Sequence, residues 1–524
     1  MTLVAGADFG TLSVRVTIMD TALGKTVATE IAEYPLKRSP NDPLCAQQSH
    51  DDHMMALVGA MRNACQKGGV DGRSIAAFAA DTTGSSVVMV DEKLRPLDDY
   101  YLWCDHRAHK EAKEITALGN EEKLEVLKWC GGTYSHEWGY AKLLHFLRHS
   151  PDKRNRLYTA MEHCDMLVAT LCGLKSREEL PRSVCAMGHK WMWREEFGGL
   201  PPQDFLSRVD PLFNDINDKL DGHYGTAGDI AGTLSPEWAD KLGLKPGIPI
   251  SFGAFDSHWD SIGCGCKAGD IVNVVGTSTC IIALGDNALS PVPGICGVVP
   301  GSVVPGMLGV EAGQSATGDI FDAIARRAGT SVAALCDQLE GRRPGHTGLL
   351  RLVWDNGDRT VLARSDLSGV TLGWDLGHTA ADEMHAALEG MAMHVRVIHD
   401  RMSQHGLSIQ RVINGGGIPQ KNSVLNQIYA DMLGKEILVP KYSPTGVGAC
   451  IFASVAAGLF KNIEDAQQTL CPPLVTVTPN ENNRNASDKL YGLFKELYFG
   501  FGEGQAVDLA TVLPRLQAFR LGHD

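Results

Sequence analysis

LVAGADFGTLSVRVTIMD, residues 3–20, places two apolar, β-prone runs on either side of a Gly10-Thr11 turn. This pattern predicts a strand, a tight turn and a second strand. Residues 270–286 repeat the plan, because DIVNVV leads into GTST and CIIALGD follows. The repetition predicts two related halves, and a chance match of two glycine-bearing hairpins is the open alternative.

The rest of the chain mixes strand-like and helix-like segments. AAFAADTTGSSVVMVD (76–91) predicts strands, whereas HKEAKEITALG (109–119) and AKLLHFLRH (141–149) predict helices. We therefore expect a mixed α/β fold. A chain of 524 residues exceeds what one hydrophobic core usually serves. The Gly/Pro-rich segment 232–249 places the predicted boundary near residue 250, which gives domains 1–250 and 251–524.

Composition limits the class of protein. A net charge of −14 argues against a nucleic acid or an anionic membrane as the main partner. The amino terminus lacks a signal-peptide pattern, and residues 448–460, the longest apolar stretch, are too few for a membrane span. The 14 cysteines have no framework spacing, which predicts reduced thiols and a cytoplasmic protein. Cys264 and Cys266 form a CxC pair, but no second pair of matching spacing accompanies them. Two cysteines are too few ligands to predict a metal site.

The helix predicted after Asp382 carries an apolar stripe. Met384, Leu388, Met391 and Val395 recur at steps of three and four. This spacing is typical of a helix face packed in a core, so we assign the stripe to packing and not to function.

The first turn carries residue types suited to phosphate and Mg²⁺. Asp8 ends a strand, Gly10 and Thr11 offer backbone amides, and Ser13 and Arg15 add a hydroxyl and a cation. Such a turn can form an anion-binding concavity, and a nearby carboxylate can hold Mg²⁺. A plain β-turn with a capping aspartate is an equal alternative from this segment alone.

A nucleotide site is indicated later in the chain. A Walker A loop is excluded at Gly24-Lys25-Thr26, because Met19 occupies the position that requires glycine. Asn414-Gly415-Gly416-Gly417 follows a predicted strand and precedes a helix expected to begin near Asn422. Glycines at such a turn permit close approach of a nucleotide, with a structural turn as the alternative.

Asp256 lies where the apolar strand SFGAF meets a small-residue segment, and Asp260 lies one helical turn further on. A carboxylate there can orient a hydroxyl and accept its proton, or it can cap the following helix. Lys190 and Glu311 are isolated charges in apolar surroundings, and the local sequence leaves ligand contact and buried ion pair equally open.

Taken together, DFGTLSVR (8–15), AFDSH (254–258), GTST (276–279) and NGGG (414–417) resemble the FGGY family of carbohydrate kinases in order and spacing. Within that family the chain is most similar to the ribulokinases, through motifs in both halves. These motifs are DTTGSS (81–86), LWCDHRA (102–108), GGTYSHEWGYAK (131–142), CAMGHKWMW (185–193), GAFDSH (253–258), GTSTC (276–280) and GVEAGQSATGDIF (309–321).

The resemblance implies two ribonuclease-H-like, actin-like ATPase domains with an active-site cleft between them. It implies ATP and Mg²⁺ as cofactors, a small-molecule ketopentose as substrate, a homodimer and a role in arabinose catabolism. Its implied roles are a catalytic base at Asp256, a metal contact at Asp8, and two sets of binding residues. The cofactor set is Gly10, Thr11, Ser13, Arg15, Gly276, Thr277, Ser278, Gly415, Gly416, Gly417 and Asn422, and the substrate set is Gly84, Lys190, Asp256 and Glu311.

Two departures concern the sugar. The loop at 341–348 is shorter than in ribulokinases, and GVTLGWDLGHTAAD (369–382) matches the second family signature only approximately. The resemblance makes L-ribulose the first expectation, and because these departures bear on which sugar fits, D-ribulose, xylulose or a pentitol are alternatives. A non-catalytic sugar sensor or actin-like assembly module is a further alternative, which retention of Asp8, Asp256 and both Gly-Thr turns disfavours.

Overall fold

The computed structural model describes residues 2–286 and 289–522, and its chain forms two compact units. The first unit contains residues up to 267, with 297–309 and 444–471. The second contains residues 268–296, 310–443 and those from 472 onward. Both units are discontinuous along the chain. The boundary near residue 250 between two continuous domains stays a prediction.

Strands occur throughout the described residues. They are β1 Leu3–Phe9, β2 Ser13–Asp20, β3 Lys25–Glu33, β4 Lys37–Ser39, β5 Asp42–Gln48, β6 Ile75–Thr82, β7 Val87–Val90, β8 Tyr100–Tyr101, β9 Thr159–Glu162, β10 Pro181–Ser183, β11 His223–Gly225, β12 Ile230–Thr233, β13 Pro249–Ser251, β14 Ala254–Phe255, β15 Asp270–Val275, β16 Thr279–Gly285, β17 Gly297–Pro300, β18 Leu308–Gln314, β19 Leu350–Leu352, β20 Val370–Leu372, β21 Arg411–Gly415, β22 Ile437–Pro440 and β23 Leu474–Val477.

Helices separate many of these strands. They are α1 His50–Gly68, α2 His109–Glu121, α3 Glu125–Lys128, α4 Gly139–His149, α5 Pro151–Arg154, α6 His163–Cys172, α7 Val184–Lys190, α8 Gln203–Val209, α9 Ile216–Lys219, α10 Pro236–Leu242, α11 Asp256–Gly263, α12 Gly318–Arg327, α13 Val332–Cys336, α14 Ala380–Gln404, α15 Ser423–Leu433, α16 Val447–Ala456, α17 Ile463–Leu470, α18 Arg484–Glu503 and α19 Leu509–Leu521.

The main sheet of the first unit has the order β12-β13-β6-β1-β2-β3. β1, β2 and β3 form an antiparallel meander, whereas β6 pairs with β1 and β13 in parallel. β12 is antiparallel to β13 at one edge, and β14 pairs with β6 in parallel. Because β1, β6 and β14 are parallel neighbours, their carboxyl ends lie at one edge of the sheet.

The second unit repeats this arrangement. Its sheet runs β18-β16-β15-β21-β22-β23. β15 and β16 form an antiparallel hairpin, β21 pairs in parallel with β15 and β22, and β23 is antiparallel to β22. The two predicted hairpins are therefore confirmed, and each occupies the same place in its own sheet, as two related halves require.

Helices cover the sheet of the first unit. α1 packs against β2 and β3, and α16 packs against β1, β6 and β13. Residues 448–460, the longest apolar stretch, largely form α16, whose side chains from Ala449 to Ala453 are fully buried. None of the helices in residues 2–286 and 289–522 combines the length and apolarity needed to cross a membrane.

Local sequence predictions agree with the elements found. The segments predicted as helices near residues 109–119 and 141–149 form α2 and α4. The predicted stripe on α14, Met384, Leu388, Met391 and Val395, has 0% exposure at all four positions, which confirms its packing role. All 14 cysteines carry free thiols, as predicted.

Candidate functional site

The carboxyl ends of β1, β6 and β14 bring aspartates of the first unit together. Asp8 on β1 lies opposite Asp81 on β6, and Asp81 lies opposite Ala254 on β14. Two residues after Ala254, Asp256 begins α11, and Asp260 follows one turn later. We call Asp8, Asp81, Asp256 and Asp260 the acidic cluster.

Burial and charge repulsion raise pKa values within the acidic cluster. Burial raises the pKa of Asp81 well above its usual value, and the charges of Asp8, Asp260 and Asp256 raise it further. The pKa of Asp260 is raised in the same way, by burial and then by Asp8 and Asp256. Burial also raises the pKa of Asp8, while a hydrogen bond with Asp81 and the charge of Arg15 oppose the increase. A cation placed here would relieve this repulsion.

The acidic cluster fits a hard divalent cation. Oδ1 of Asp81 is buried and, among the described residues, has no hydrogen-bond partner. A buried oxygen left without a partner is costly unless something binds it. Carboxylate oxygens with water are the ligands that Mg²⁺ prefers. The predicted metal contact, Asp8, thus has Asp81 and Asp260 as neighbours, which the sequence analysis did not assign to a metal.

Asp256 does not cap its helix. Phe255 occupies the N-cap position of α11, and Asp256 is the first helical residue, so the alternative of an N-cap aspartate is wrong. Its Oδ1 accepts a hydrogen bond of 2.7 Å from the backbone N–H of Ser257. This bond fixes one oxygen and leaves the half-buried carboxylate oriented by the helix N-terminus.

The Gly10–Ser13 turn is held from several sides. The N–H of Gly10 donates to the carbonyl of Ser13 at 3.0 Å, and the Tyr34 hydroxyl donates to that same carbonyl at 3.0 Å. Gln48 donates to the carbonyl of Thr11 at 2.7 Å, and the Trp103 indole donates to its hydroxyl at 3.1 Å. The turn is therefore fixed before any ligand binds. Arg15 lies on β2, directly opposite Asp8.

The turn between β15 and β16 is closely similar. The N–H of Gly276 donates to the carbonyl of Ser278 at 2.9 Å. The Thr277 carbonyl accepts from the N–H of Thr317 at 2.8 Å, which ties the turn to the start of α12. Thr277 itself is exposed. Each unit thus presents one glycine-threonine turn after the first strand of its hairpin.

The glycines of these turns differ in what requires them. A Cβ added at Gly10 would lie 3.6 Å from the carbonyl of Ser13, and one at Gly276 would lie 3.7 Å from that of Ser278, both ordinary contacts. At Gly417 an added Cβ meets nothing within 4 Å in the described structure. At Gly416, by contrast, φ is +86° and the Cβ would lie 2.5 Å from the carbonyl of Val275. Of these four glycines, packing therefore requires Gly416, whereas the other three positions would accept a Cβ without a clash.

The NGGG segment begins inside β21, because Asn414 and Gly415 are the last two residues of that strand, and Gly416 and Gly417 follow it. Asn414 lies opposite Asn273 of β15 and accepts its side-chain hydrogen bond at 2.9 Å. Asn414 in turn donates to Asn426 of α15 at 3.1 Å, so the turn is locked to both neighbours. Asn422, a predicted nucleotide contact, caps α15 by accepting from the N–H of Leu425 at 3.0 Å. The contact shown for Asn422 is structural.

Lys190 sits in an aromatic pocket of the first unit. It ends α7, is 4% exposed, and its ammonium lies 5.5 Å from the ring centre of Trp138 and 5.3 Å from that of Phe255. Gly84 closes against the same Phe255, since a Cβ there would lie 2.1 Å from the ring. Gly84, Lys190 and Asp256 are therefore grouped around Phe255. Glu311, on β18 in the second unit, is 8% exposed, and its substrate role stays a prediction.

A buried pair of charged side chains supports this pocket. Glu162 accepts hydrogen bonds from the hydroxyl of Ser85, from the N–H of Ser86 at 3.0 Å and from the Trp191 indole at 2.9 Å. Lys142, which is 0% exposed, donates to the carbonyls of Ser85 and Leu102, both at 2.7 Å. Burial lowers the pKa of Lys142 to about 8.

Several of these residues escaped the sequence analysis for a common reason. Asp81, Tyr34, Lys142 and Glu162 become neighbours of the site only through sheet order and helix packing. One signal was available for Asp81, because it ends an apolar strand just as Asp8 does and opens the DTTGSS motif. Lys142 ends the GGTYSHEWGYAK motif, whereas Tyr34 and Glu162 lie in none of the motifs.

Comparison with known protein families gives matches in both halves. Residues 3–186 match the amino-terminal domain of the FGGY family of carbohydrate kinases, and residues 271–457 match the carboxy-terminal domain. The ribulokinase of Vibrio parahaemolyticus is 32% identical over 94% of this chain and 95% of its own length. The ribulokinase of Halalkalibacterium halodurans is 32% identical over 98% of this chain and 97% of its own.

Solved structures resemble the whole chain in fold. Xylulose kinase from Rhodospirillum rubrum has a TM-score of 0.79 at 21% identity, over 98% of this chain and 100% of its own. Gluconate kinase from Lactobacillus acidophilus has a TM-score of 0.82 at 17% identity, over 95% and 98%. At such identity the likeness concerns the fold, and it confirms the two-domain actin-like ATPase class. Both domain matches and the relatives that cover nearly the whole chain show that this chain belongs to the FGGY family of carbohydrate kinases.

Proposed function

We propose that this protein transfers the γ-phosphoryl group of ATP to the C5 hydroxyl of L-ribulose, forming L-ribulose 5-phosphate and ADP. Use of ATP on a sugar follows from family membership. The observation that carries the choice of sugar is the 32% identity to ribulokinases over nearly the full length of both chains. The grouping of Gly84, Lys190 and Asp256 around Phe255 supports the proposed transfer.

In this proposal Asp256 is the catalytic base. The C5 hydroxyl donates its proton to the Asp256 carboxylate while its oxygen bonds to the γ-phosphorus, and the bond from that phosphorus to the bridging oxygen of ADP breaks. A positioned base contributes about 10²–10⁴-fold to such a step. The Ser257 N–H fixes one oxygen of Asp256, which favours a single orientation of the carboxylate.

The phosphates are assigned to the two glycine-threonine turns. Gly10, Thr11 and Ser13 in the first unit and Gly276, Thr277 and Ser278 in the second would contact the triphosphate, with Arg15 adding a positive charge. Gly415, Gly416 and Gly417 would lie beside the adenosine. The glycines at positions 10, 276 and 417 support this assignment, since a Cβ at each would meet no clash in the described structure that accounts for glycine there.

Mg²⁺ would be held by Asp8, with Asp81 and Asp260 contributing directly or through water. A bound Mg²⁺ neutralises charge that develops on the phosphoryl oxygens. The raised pKa values of Asp8, Asp81 and Asp260 and the unpartnered oxygen of Asp81 support this assignment.

Lys190 and Glu311 would bind the sugar hydroxyls, and the backbone near Gly84 would close the pocket. Lys190 has apolar ring faces on two sides, which favours a fixed position for its ammonium. The homodimer and the place in arabinose catabolism stay predictions from the family resemblance, and the cytoplasmic location stays a prediction from the cysteines.

The test is ADP release by the purified protein with MgATP and each of L-ribulose, D-ribulose, D-xylulose and ribitol. We expect the highest kcat/KM with L-ribulose. A preference for another of these compounds would contradict the sugar assignment and keep the phosphoryl transfer. No stimulation by any of them would contradict the kinase reaction.

Asp256→Asn separates chemistry from binding. We expect turnover to fall by at least about 100-fold while ATP and sugar still bind. Asp204→Asn, a change at an exposed aspartate of α8, is the matched control and should leave turnover unchanged. Near-normal turnover in Asp256→Asn would remove Asp256 from the role of base.

A further inference from the structure

A second group of metal-ligand side chains lies on the first unit between α2 and α4. His145 and His149 are four residues apart on α4, and Glu111 lies on α2, which packs against α4. One ligand atom from each of the three lies within 4.8 Å of the others. Helical residues four apart lie on the same side of the helix, so both imidazoles lie on one side of α4. We call Glu111, His145 and His149 the α2–α4 triad.

Two atoms of the α2–α4 triad are buried without a hydrogen-bond partner. Oε2 of Glu111 and Nδ1 of His145 lie 3.7 Å apart, too far for a hydrogen bond, and neither has another partner in the residues that the structure describes. The Glu111 side chain is only 2% exposed. Buried polar atoms of this kind carry a desolvation cost unless a ligand or ion binds them.

His149 is prepared to act as a ligand. Its Nδ1–H donates to the carbonyl of His145 at 2.9 Å, which leaves Nε2 with its lone pair. Metal-binding histidines commonly donate the other ring N–H to a backbone carbonyl in this way. The two imidazole rings are stacked, with centroids 4.2 Å apart and 27° between their planes. His149 is exposed, which provides a path from solvent.

The surrounding charges permit a cation. Arg148 lies near Oε1 of Glu111 at 3.4 Å, but its guanidinium also pairs with Glu114 at 2.7 Å and with Asp210 at 2.8 Å. Oε1 of Glu111 therefore pairs with Arg148, while Oε2 lies near Nδ1 of His145. The triad also lies at the carboxyl end of α4, where the helix dipole favours positive charge.

From this geometry we propose that Glu111, His145 and His149 bind a divalent transition-metal ion of the Zn²⁺ class, which links α2 to α4. Two imidazole nitrogens and one carboxylate oxygen suit Zn²⁺, with water as the fourth ligand on the exposed side. Mg²⁺ prefers oxygen ligands and belongs instead to the acidic cluster. The ion would strengthen the contact between α2 and the helix that carries Lys142.

The test is titration of the metal-free protein with Zn²⁺ by calorimetry, alongside His149→Gln, Glu111→Gln and a control, His136→Gln. His136 belongs to a separate group with His106 and Glu137. The His136→Gln variant therefore reports any Zn²⁺ that binds to that group and not to the α2–α4 triad. We expect His149→Gln and Glu111→Gln to lose one Zn²⁺ equivalent or to weaken it at least tenfold (about 1.4 kcal/mol), and His136→Gln to retain it.

A second readout uses stability and spectroscopy. Zn²⁺ should raise the melting temperature of the wild type and not that of His149→Gln, because a ligand that binds the folded state stabilises it. Co²⁺ should give the absorption of a tetrahedral site in the wild type and lose it in His149→Gln. Because His149 is exposed, this variant should keep its basal kinase turnover. Equal Zn²⁺ stoichiometry and affinity in the wild type and His149→Gln would overturn the proposal.

Discussion

Glycine has two different uses in the predicted nucleotide turns, and a single methyl group distinguishes them. At Gly416 the positive φ and the nearby Val275 carbonyl require the residue for folding. At Gly10 an added Cβ would make only an ordinary contact, 3.6 Å from the carbonyl of Ser13, in the turn assigned to phosphate. One glycine therefore serves the fold and the other serves the proposed ligand.

We expect Gly10→Ala to keep wild-type stability and to raise the KM for ATP or lower kcat. Gly416→Ala should lower the free energy of unfolding by at least about 1 kcal/mol, because alanine is strained at positive φ and meets the Val275 carbonyl. Urea unfolding and steady-state kinetics measure the two effects. Wild-type kinetics in Gly10→Ala would contradict the phosphate assignment.

The acidic cluster predicts an unusual dependence of stability on pH. In the folded protein the pKa values of Asp81 and Asp260 are raised well above 3.8, so they hold protons that the unfolded chain has already lost. Stability of the Mg²⁺-free protein should therefore fall as the pH rises from about 4 through the raised values, where the carboxyls become charged. Mg²⁺ should restore stability, since it binds the folded state alone.

Asp81→Asn should remove much of this effect. We expect the Mg²⁺-free variant to be more stable than the wild type near neutral pH, to show a smaller decrease with pH and to lose kinase activity. Urea unfolding at about pH 5 and about pH 8, with and without Mg²⁺, measures it. Asp204→Asn is the control. An unchanged pH dependence in Asp81→Asn would contradict the proposed repulsion.

Among the elements, α4 connects the proposed sugar pocket to the rest of the first unit. Lys142, on its inner face, holds the carbonyls of Ser85 and Leu102. Glu162, at the end of β9, holds the amide of Ser86 and the indole of Trp191. Because Lys142 and Glu162 contact the residues next to Gly84, we expect them to act as positioning residues for this segment.

Lys142→Met should leave two buried carbonyls without a donor. We expect a loss of at least about 2 kcal/mol in unfolding free energy and a higher KM for the sugar, with a smaller change in the KM for ATP. Chemical unfolding and kinetics at saturating ATP measure the two effects. If both KM values rise equally, Lys142 has only a general structural role.

Element-level predictions from the sequence succeeded where the signal was local. The hairpins, α2, α4 and the buried stripe of α14 all follow from periodicity and turn residues within short windows. The approach of Asp81 to Asp8 depends on strand order, and the supports of the Gly84 segment depend on helix packing. Contacts between distant parts of the chain leave no periodic trace, so Tyr34, Lys142 and Glu162 were missed.

At the scale of the whole molecule, chain order and spatial order differ. Residues 444–471 come after most of the second unit, yet they belong to the first. They supply α16, whose Ala449 approaches the backbone of β1 so closely that a Cβ at Gly6 would lie 2.6 Å from it. The strands β1, β6 and β13 therefore keep an exposed apolar surface until α16 packs against them.

We expect a fragment ending at residue 267 not to fold cooperatively, because it lacks α16 and exposes the apolar surface that β1, β6 and β13 present to it. The measurement is urea unfolding of the fragment followed by near-UV and far-UV circular dichroism. A second fragment, in which residues 444–471 are joined to residue 267 through a flexible glycine-serine linker, should recover a cooperative transition. It regains α16, whose side chains from Ala449 to Ala453 are buried against the sheet. A cooperative transition in the shorter fragment, with the stability of the longer one, would show that α16 is dispensable for the first unit.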